Sequence, residues 1–76
     1  MIHEHDRVVL KDDLPIDGLC AGDVGTVVHV YARRRAYEVE FLALDGRTVA
    51  VATVPAARVR PVHRGEISHA RQLAHV

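Results

Sequence analysis

The chain has a single cysteine, Cys20, no excess of charge of either sign, and no long apolar run. One cysteine excludes an internal disulfide framework and a cysteine-only metal site. Ten Lys plus Arg against ten Asp plus Glu give a formal net charge of zero. That balance argues against a strongly electrostatic partner such as bulk nucleic acid, which selects a basic face, although a local basic patch remains compatible with it. Near-zero charge also gives copies little mutual repulsion, which favours self-association. No stretch approaches the roughly 18 apolar residues of a membrane span. The first ten residues are charged and lack the apolar centre of a secretory signal. A cytoplasmic protein with no membrane partner is therefore expected. Also missing are a phosphate-binding glycine loop, a serine–histidine motif, and any His-x3-His or Cys-x2-Cys cluster inside a strong element. The expectation is a non-enzyme without cofactor, with no catalytic, cofactor-binding or metal-ligating residues.

What is present is a pattern of short strands. At 76 residues and 49% hydrophobic content, the chain makes one domain with a small core, burying about 60% of the surface it exposes when unfolded. The most informative stretch is Leu19 to Tyr31. There Gly22-Asp23 supplies a turn, Gly25 allows a sharp bend or a close backbone approach, and Val27, Val28, Val30 and Tyr31 favour a strand. Arg7 to Leu10 reads as an earlier strand, and the apolar Leu14, Pro15, Ile16 and Leu19 predict a loop folded over one end of the core. Ala36 to Leu42 alternates cleanly, placing Tyr37, Val39 and Phe41 inward and Glu38 and Glu40 outward. Asp45-Gly46 is a hairpin turn leading to a returning strand over Arg47 to Val54. Pro55 to Arg58 suits one tight helical turn, and Val59 to Val62 is a last strand demoted to an edge by Pro61. The predicted core is Val8, Leu10, Val27, Val30, Tyr37, Val39, Phe41, Val49, Val51 and Val59, with the choice between Val27 and Val28 depending on the bend at Gly25.

This order predicts a mainly β fold, a small five-stranded SH3-like barrel over residues 1–62, since closing the sheet would remove two long open edges. Residues 63–76 differ in kind. Glu66 to Val76 contains good helix formers, with Ile67, Ala70, Leu73 and Ala74 on one face. So short a helix is marginal alone and must dock on the barrel, dock on a partner, or fray.

Asp6-Arg7-Val8-Val9-Leu10, Asp13-Leu14-Pro15, Gly22 to Tyr31, Ala36 to Phe41 and Asp45 to Ala50 together resemble a bacterial family, domain of unknown function 4926. The resemblance covers residues 1–62 and leaves the tail outside. It implies a small SH3-like protein without established enzymatic activity, paired with the product of a neighbouring small gene. A looser resemblance is to the KOW element of ribosomal and transcription-factor barrels, with Gly22-Asp23-Val24-Gly25-Thr26-Val27 in the place of its turn and strand. KOW elements carry basic residues before the glycine, where this chain has Leu19, Cys20 and Ala21.

Candidate sites divide accordingly. The six histidines read as structural or solvated, His29 lying mid-strand. Cys20, between Leu19 and Ala21, is expected to be a buried structural thiol. Asp12, Asp13 and Asp17 read as solvated loop carboxylates. Arg33, Arg34 and Arg35 form a basic tip that Glu38 and Glu40 can neutralise across the sheet. The candidate interaction residues are Arg33, Arg34, Arg35, Val59, Arg60, Val62, Ile67 and Leu73, drawn from the tip, the open edge and the apolar tail face. The expected function is a non-catalytic protein-interaction module, the partner or antitoxin-like member of a two-gene pair or an accessory subunit, with a protein partner or self-association. The alternative is a KOW-like RNA- or DNA-binding module.

Overall fold

The computed structural model describes residues 1–74, so His75 and Val76 of the expected terminal helix lie outside the described residues. Five strands form one sheet: β1 (Arg7–Leu10), β2 (Val24–Val30), β3 (Ala36–Leu42), β4 (Thr48–Pro55) and β5 (Val59–Pro61). Every pairing is antiparallel and the spatial order is β4-β3-β2-β1-β5. The helical pieces among the described residues are 3-10 turns at Pro15–Asp17, Ala32–Arg34 and Ala56–Arg58. The protein is mainly β, as the turn spacing predicts.

One face of the sheet carries the core: Val8, Leu10, Leu19, Val27, Tyr37, Val39, Phe41, Ala52, Val54 and Val59. β3 follows its period-2 pattern throughout, with Tyr37, Val39 and Phe41 buried and Glu38 and Glu40 half-buried on the other face. β2 passes so close to β3 at Gly25 that a Cβ there would lie 2.5 Å from Val39 Cγ1 and 2.9 Å from both the Glu40 carbonyl oxygen and Phe41 Cδ1. Only glycine fits that approach. Just beyond it the β2–β3 register slips between Val27 and His29, a bulge that buries Val27 and leaves Val28 and His29 exposed.

A second register shift corrects the predicted core. Phe41 pairs with Ala50 but Leu42 pairs with Thr48, so Val49 is the extra residue of a bulge in β4. Past the bulge the inward positions are Ala52 and Val54, while Val51 is 51% exposed. Val49 and Val30, expected inside, are half-buried residues packed against the core. A straight period-2 alternation through β4 does not allow for the bulge, and one extra residue inverts every later side chain.

The loop between β1 and β2 is pinched by a bridge between Leu14 and Leu19. Leu19 is buried and Leu14 half-buried. Ile16, expected to fold over the core with them, is instead fully exposed on the 3-10 turn. The tail corrects a further expectation: residues 63–74 contain no helix. In a helix of 3.6 residues per turn, Glu66 and Arg71 would project about 140° apart. In the structure both reach back to the sheet, and the segment runs as an irregular strap.

Candidate functional site

The outer face of the sheet, opposite the core, is built by alternate residues of four strands. Register places Val9 of β1 between Arg60 of β5 and Val24 of β2, and Arg7 beside Thr26, which in turn faces Glu40 of β3. Val9 points away from the core cluster and is nevertheless buried, at 6% exposure. It lies on the floor of a cleft of about 1100 Å³ bordered by the β3–β4 hairpin loop and by the strap. Five apolar side chains on this cleft are exposed: Val24, Leu42, Leu44, Val62 and Ile67. The hairpin holds its shape through Ala43 N–H to the Arg47 carbonyl (2.8 Å), Arg47 N–H to Asp45 Oδ1 (3.0 Å), and Gly46 at φ +91°. That local geometry leaves Leu44 at 85% exposure.

The strap is fastened at two points. Arg60 donates to both oxygens of Glu66, at 2.9 and 2.7 Å, and Glu66 also accepts from His63 N–H at 2.5 Å. Arg71 donates through Nε to Asp23 Oδ1 at 2.9 Å and through a terminal nitrogen to Asp23 Oδ2 at 2.5 Å and to the Gly18 carbonyl at 3.3 Å. Such two-pronged arginine–carboxylate pairs fix orientation as well as charge. Asp23 is itself set by its turn, where Oδ2 accepts the Cys20 N–H at 2.8 Å.

These contacts move the carboxyl pKa values. Hydrogen bonds from Arg60 and then from the His63 N–H hold Glu66 down at about 2. At Asp23 burial pushes the carboxyl up, but the Arg71 and Cys20 hydrogen bonds and the Arg71 charge together outweigh it and leave the group below its ordinary value. Both groups are depressed on folding, so the fastening is complete above pH 4.5, the ordinary value for Glu66, and is lost as pH falls toward 2. An NMR titration of the Glu66 carboxyl carbon is expected to show a midpoint near 2. An ordinary glutamate midpoint would mean that the pair does not form in solution.

The structure separates the candidate interaction residues. Arg33 and Arg35 are exposed, but Arg34 is half-buried and donates to the Ile2 carbonyl. Arg33 and Arg34 both sit at positive φ, +59° and +52°. The tip is therefore a tight turn with one arginine folded inward, not a row of three. Glu38 and Glu40 do not neutralise it: Glu38 accepts from the Tyr31 hydroxyl (3.2 Å) and Thr53 Oγ1 (2.5 Å), and Glu40 from Thr48 Oγ1 (3.1 Å). Val59 is a buried core residue paired with Leu10. Arg60, Val62, Ile67 and Leu73 do come together on the cleft. Leu42, Leu44, Asp23 and Val9 join them without having been singled out from sequence.

Cys20 is exposed rather than buried. Leu19 takes the inward position beside it, and the Asp23-capped turn faces the thiol outward. His29 is exposed, with its ring edge-on to Tyr31 at a 4.6 Å centroid distance. Asp13 accepts the Ala21 N–H at 2.8 Å. Among the described residues no group of three or more His, Cys, Asp or Glu is placed to hold a metal ion, and no helix is long and apolar enough to cross a membrane.

An antiparallel five-stranded domain with an apolar cleft on its outer face defines a class of small β protein. The family model described as Domain of unknown function (DUF4926) matches residues 4–61, and the chain belongs to that family. The match ends at β5, so the strap lies beyond it. No curated protein and no solved structure matches the chain.

Proposed function

We propose that the protein is a non-catalytic protein-interaction module whose working surface is the outer cleft. The observation that carries this is the convergence of Val24, Leu42, Leu44, Val62 and Ile67, all exposed, around one concave surface. Grouped exposed apolar residues rimmed by polar ones mark association surfaces, whereas scattered ones need no explanation. Here the rim includes two mutual ion pairs, Arg60 with Glu66 and Arg71 with Asp23, beside the charged Arg7, Glu40, Asp45 and Arg47. The strand order, with a 3-10 turn before the last strand, supports an SH3-like reading of the domain. A role as one member of a two-gene pair, or as an accessory subunit, and a cytoplasmic location fit the same surface.

Binding of RNA or DNA in the manner of KOW elements is less well supported. At the cleft Arg60 and Arg71 are held by carboxylates, and Arg34, away from it, is turned onto the Ile2 carbonyl, so of the arginines lining the cleft Arg7 and Arg47 stand outside these ion pairs.

The test is co-purification from the native host. The full chain is expected to carry a stoichiometric protein partner, itself or another, that Leu44→Glu releases and Ile16→Glu retains. Both positions are exposed, so neither change should unfold the domain. A wild-type protein that is monomeric by light scattering and recovers no protein would overturn the proposal. So would binding to RNA or DNA that weakens steeply with salt.

A further inference from the structure

The two edges of the sheet are finished differently. At one edge β5 is three residues long and ends in Pro61, and its Arg60 is tied to Glu66 of the strap. Shortness, proline and a covering segment are devices that keep an edge from accepting another strand. At the other edge β4 runs for eight residues with a neighbour, β3, on one side only. From Thr48 to Ala57 the strand and the turn after it carry no charged side chain. The irregular positions of β4 are the bulge at Val49 and the terminal Pro55, and between them Ala50 to Val54 pairs with β3 in unbroken register.

The ladder decides which backbone groups face the open side. Ala56 N–H donates to the Arg35 carbonyl at 2.9 Å, one step past the Ala36–Pro55 pair, while Ala36 faces β2 and accepts the Tyr31 N–H at 3.1 Å. Antiparallel ladders alternate between pairs that exchange hydrogen bonds and pairs that do not. Ala52 and Val54 therefore bond to Val39 and Tyr37, and the N–H and C=O groups of Val51 and Thr53 point away from β3. Neither residue joins any backbone hydrogen bond outside the sheet among the described residues. Both side chains are exposed. We propose that β4 is a homodimerisation edge, pairing antiparallel with β4 of a second copy about a two-fold axis at Ala52. Val51 of each copy then exchanges both bonds with Thr53 of the other, and every outward group of Val51 and Thr53 is satisfied. An axis at Val51 would set Thr53 against the bulged Val49, and an axis at Thr53 would set Val51 against Pro55, which has no N–H to donate. Across the axis Ala52 meets its own copy in a pair without hydrogen bonds, with Cα atoms about 4.5 Å apart, the closest approach between paired strands. Alanine methyls fit there. The second copy is the occupant that the charge pattern favours. An uncharged strand opposes its own copy without like-charge repulsion, and offers a charged segment of another protein nothing to pair with. The contact is isologous and closes at two chains. It lies apart from the outer cleft and does not depend on what the cleft binds.

The wild-type chain supplies the first test. Purified at the concentration used for NMR, it is expected to show twice the chain mass by light scattering. The Val51 and Thr53 amides are expected to exchange with solvent as slowly as those of Ala52 and Val54, which are bonded within the chain. A monomer overturns the proposal. So does a dimer in which the Val51 and Thr53 amides exchange as freely as those of an exposed loop. Val51→Pro supplies the second test. It deletes an outward donor and leaves the bonds to β3 in place, because an edge strand accepts proline where the N–H faces solvent. The expected result is a loss of half the mass with the far-UV circular dichroism unchanged, and a folded variant that stays dimeric overturns the proposal. If Val51→Pro fails to fold, the wild-type exchange rates still decide. Leu44→Glu, on the hairpin loop, is expected to retain this dimer. A dimer that Leu44→Glu dissociates belongs to the outer cleft: the edge proposal then falls and the cleft reading stands. A Leu44-independent dimer with protected Val51 and Thr53 amides upholds the edge even where the cleft recovers no partner.

Discussion

Replacing Gly25 with alanine is expected to cost about 3 kcal/mol, at the upper end of the range for overpacking a filled interior. The new methyl would sit 2.5 Å from Val39 Cγ1 and 2.9 Å from the Glu40 carbonyl oxygen and Phe41 Cδ1. Val39 is fully buried and cannot rotate into free space. The Glu40 oxygen belongs to the backbone of β3, so relief there means moving the strand. A domain of this length has roughly 4–11 kcal/mol of stability in total, and the variant should lose a large share of it. Urea unfolding should show a lower midpoint with an unchanged slope, because the surface exposed on unfolding stays the same. A midpoint equal to wild type would mean that β2 and β3 are not in this contact.

The position of Gly25 was legible from sequence because a strand of Val and Thr with a lone glycine needs a steric reason for it. β3 was legible because both faces obey period 2 without interruption, and Asp45-Gly46 because the turn chemistry is local. The phase of β4 was not. Val49 and Val51 alternate with Ala50 and Ala52 as plausibly as the reverse, and the bulge that decides between them arises in pairing with Phe41 and Leu42, not within β4.

Cys20 and the tail failed for a related reason. The apolar neighbours Leu19 and Ala21 suggested burial, yet orientation is set by Asp23 capping the turn. Helix formers in 66–76 suggest a helix, yet over the described part of that stretch, 66–74, there is none, and the partner of Arg71 is a carboxylate 48 residues earlier. Val9 shows the same limit from the other side. It alternates with the inward Val8 and Leu10 and is absent from the predicted core, and its burial belongs to a second, outer surface built by β2, β5 and the strap. Local pattern reveals one buried face of a strand and is silent about a cleft on the other.

Phe41→Ala is expected to destabilise the protein by about 3–5 kcal/mol, the usual range for deleting a buried aromatic ring. Phe41 is 2% exposed and is the only phenylalanine in the chain, among few aromatics of any kind. Its ring lies where β3 meets the bend of β2, and it precedes the point where the β3–β4 register shifts. Removing it leaves a cavity between elements that are both irregular there, so partial collapse is the only relief. The same contact makes the two largest effects interdependent. Phe41→Leu in the Gly25→Ala background should recover part of the loss, because the smaller side chain withdraws from the new methyl. It cannot recover all of it, since Val39 and the Glu40 oxygen still oppose that methyl. A double-mutant cycle should therefore give a favourable coupling of about 0.5–3 kcal/mol, as for residues in direct contact. Strict additivity would place Phe41 away from Gly25 and overturn the close approach of β2 and β3 on which the whole sheet turns.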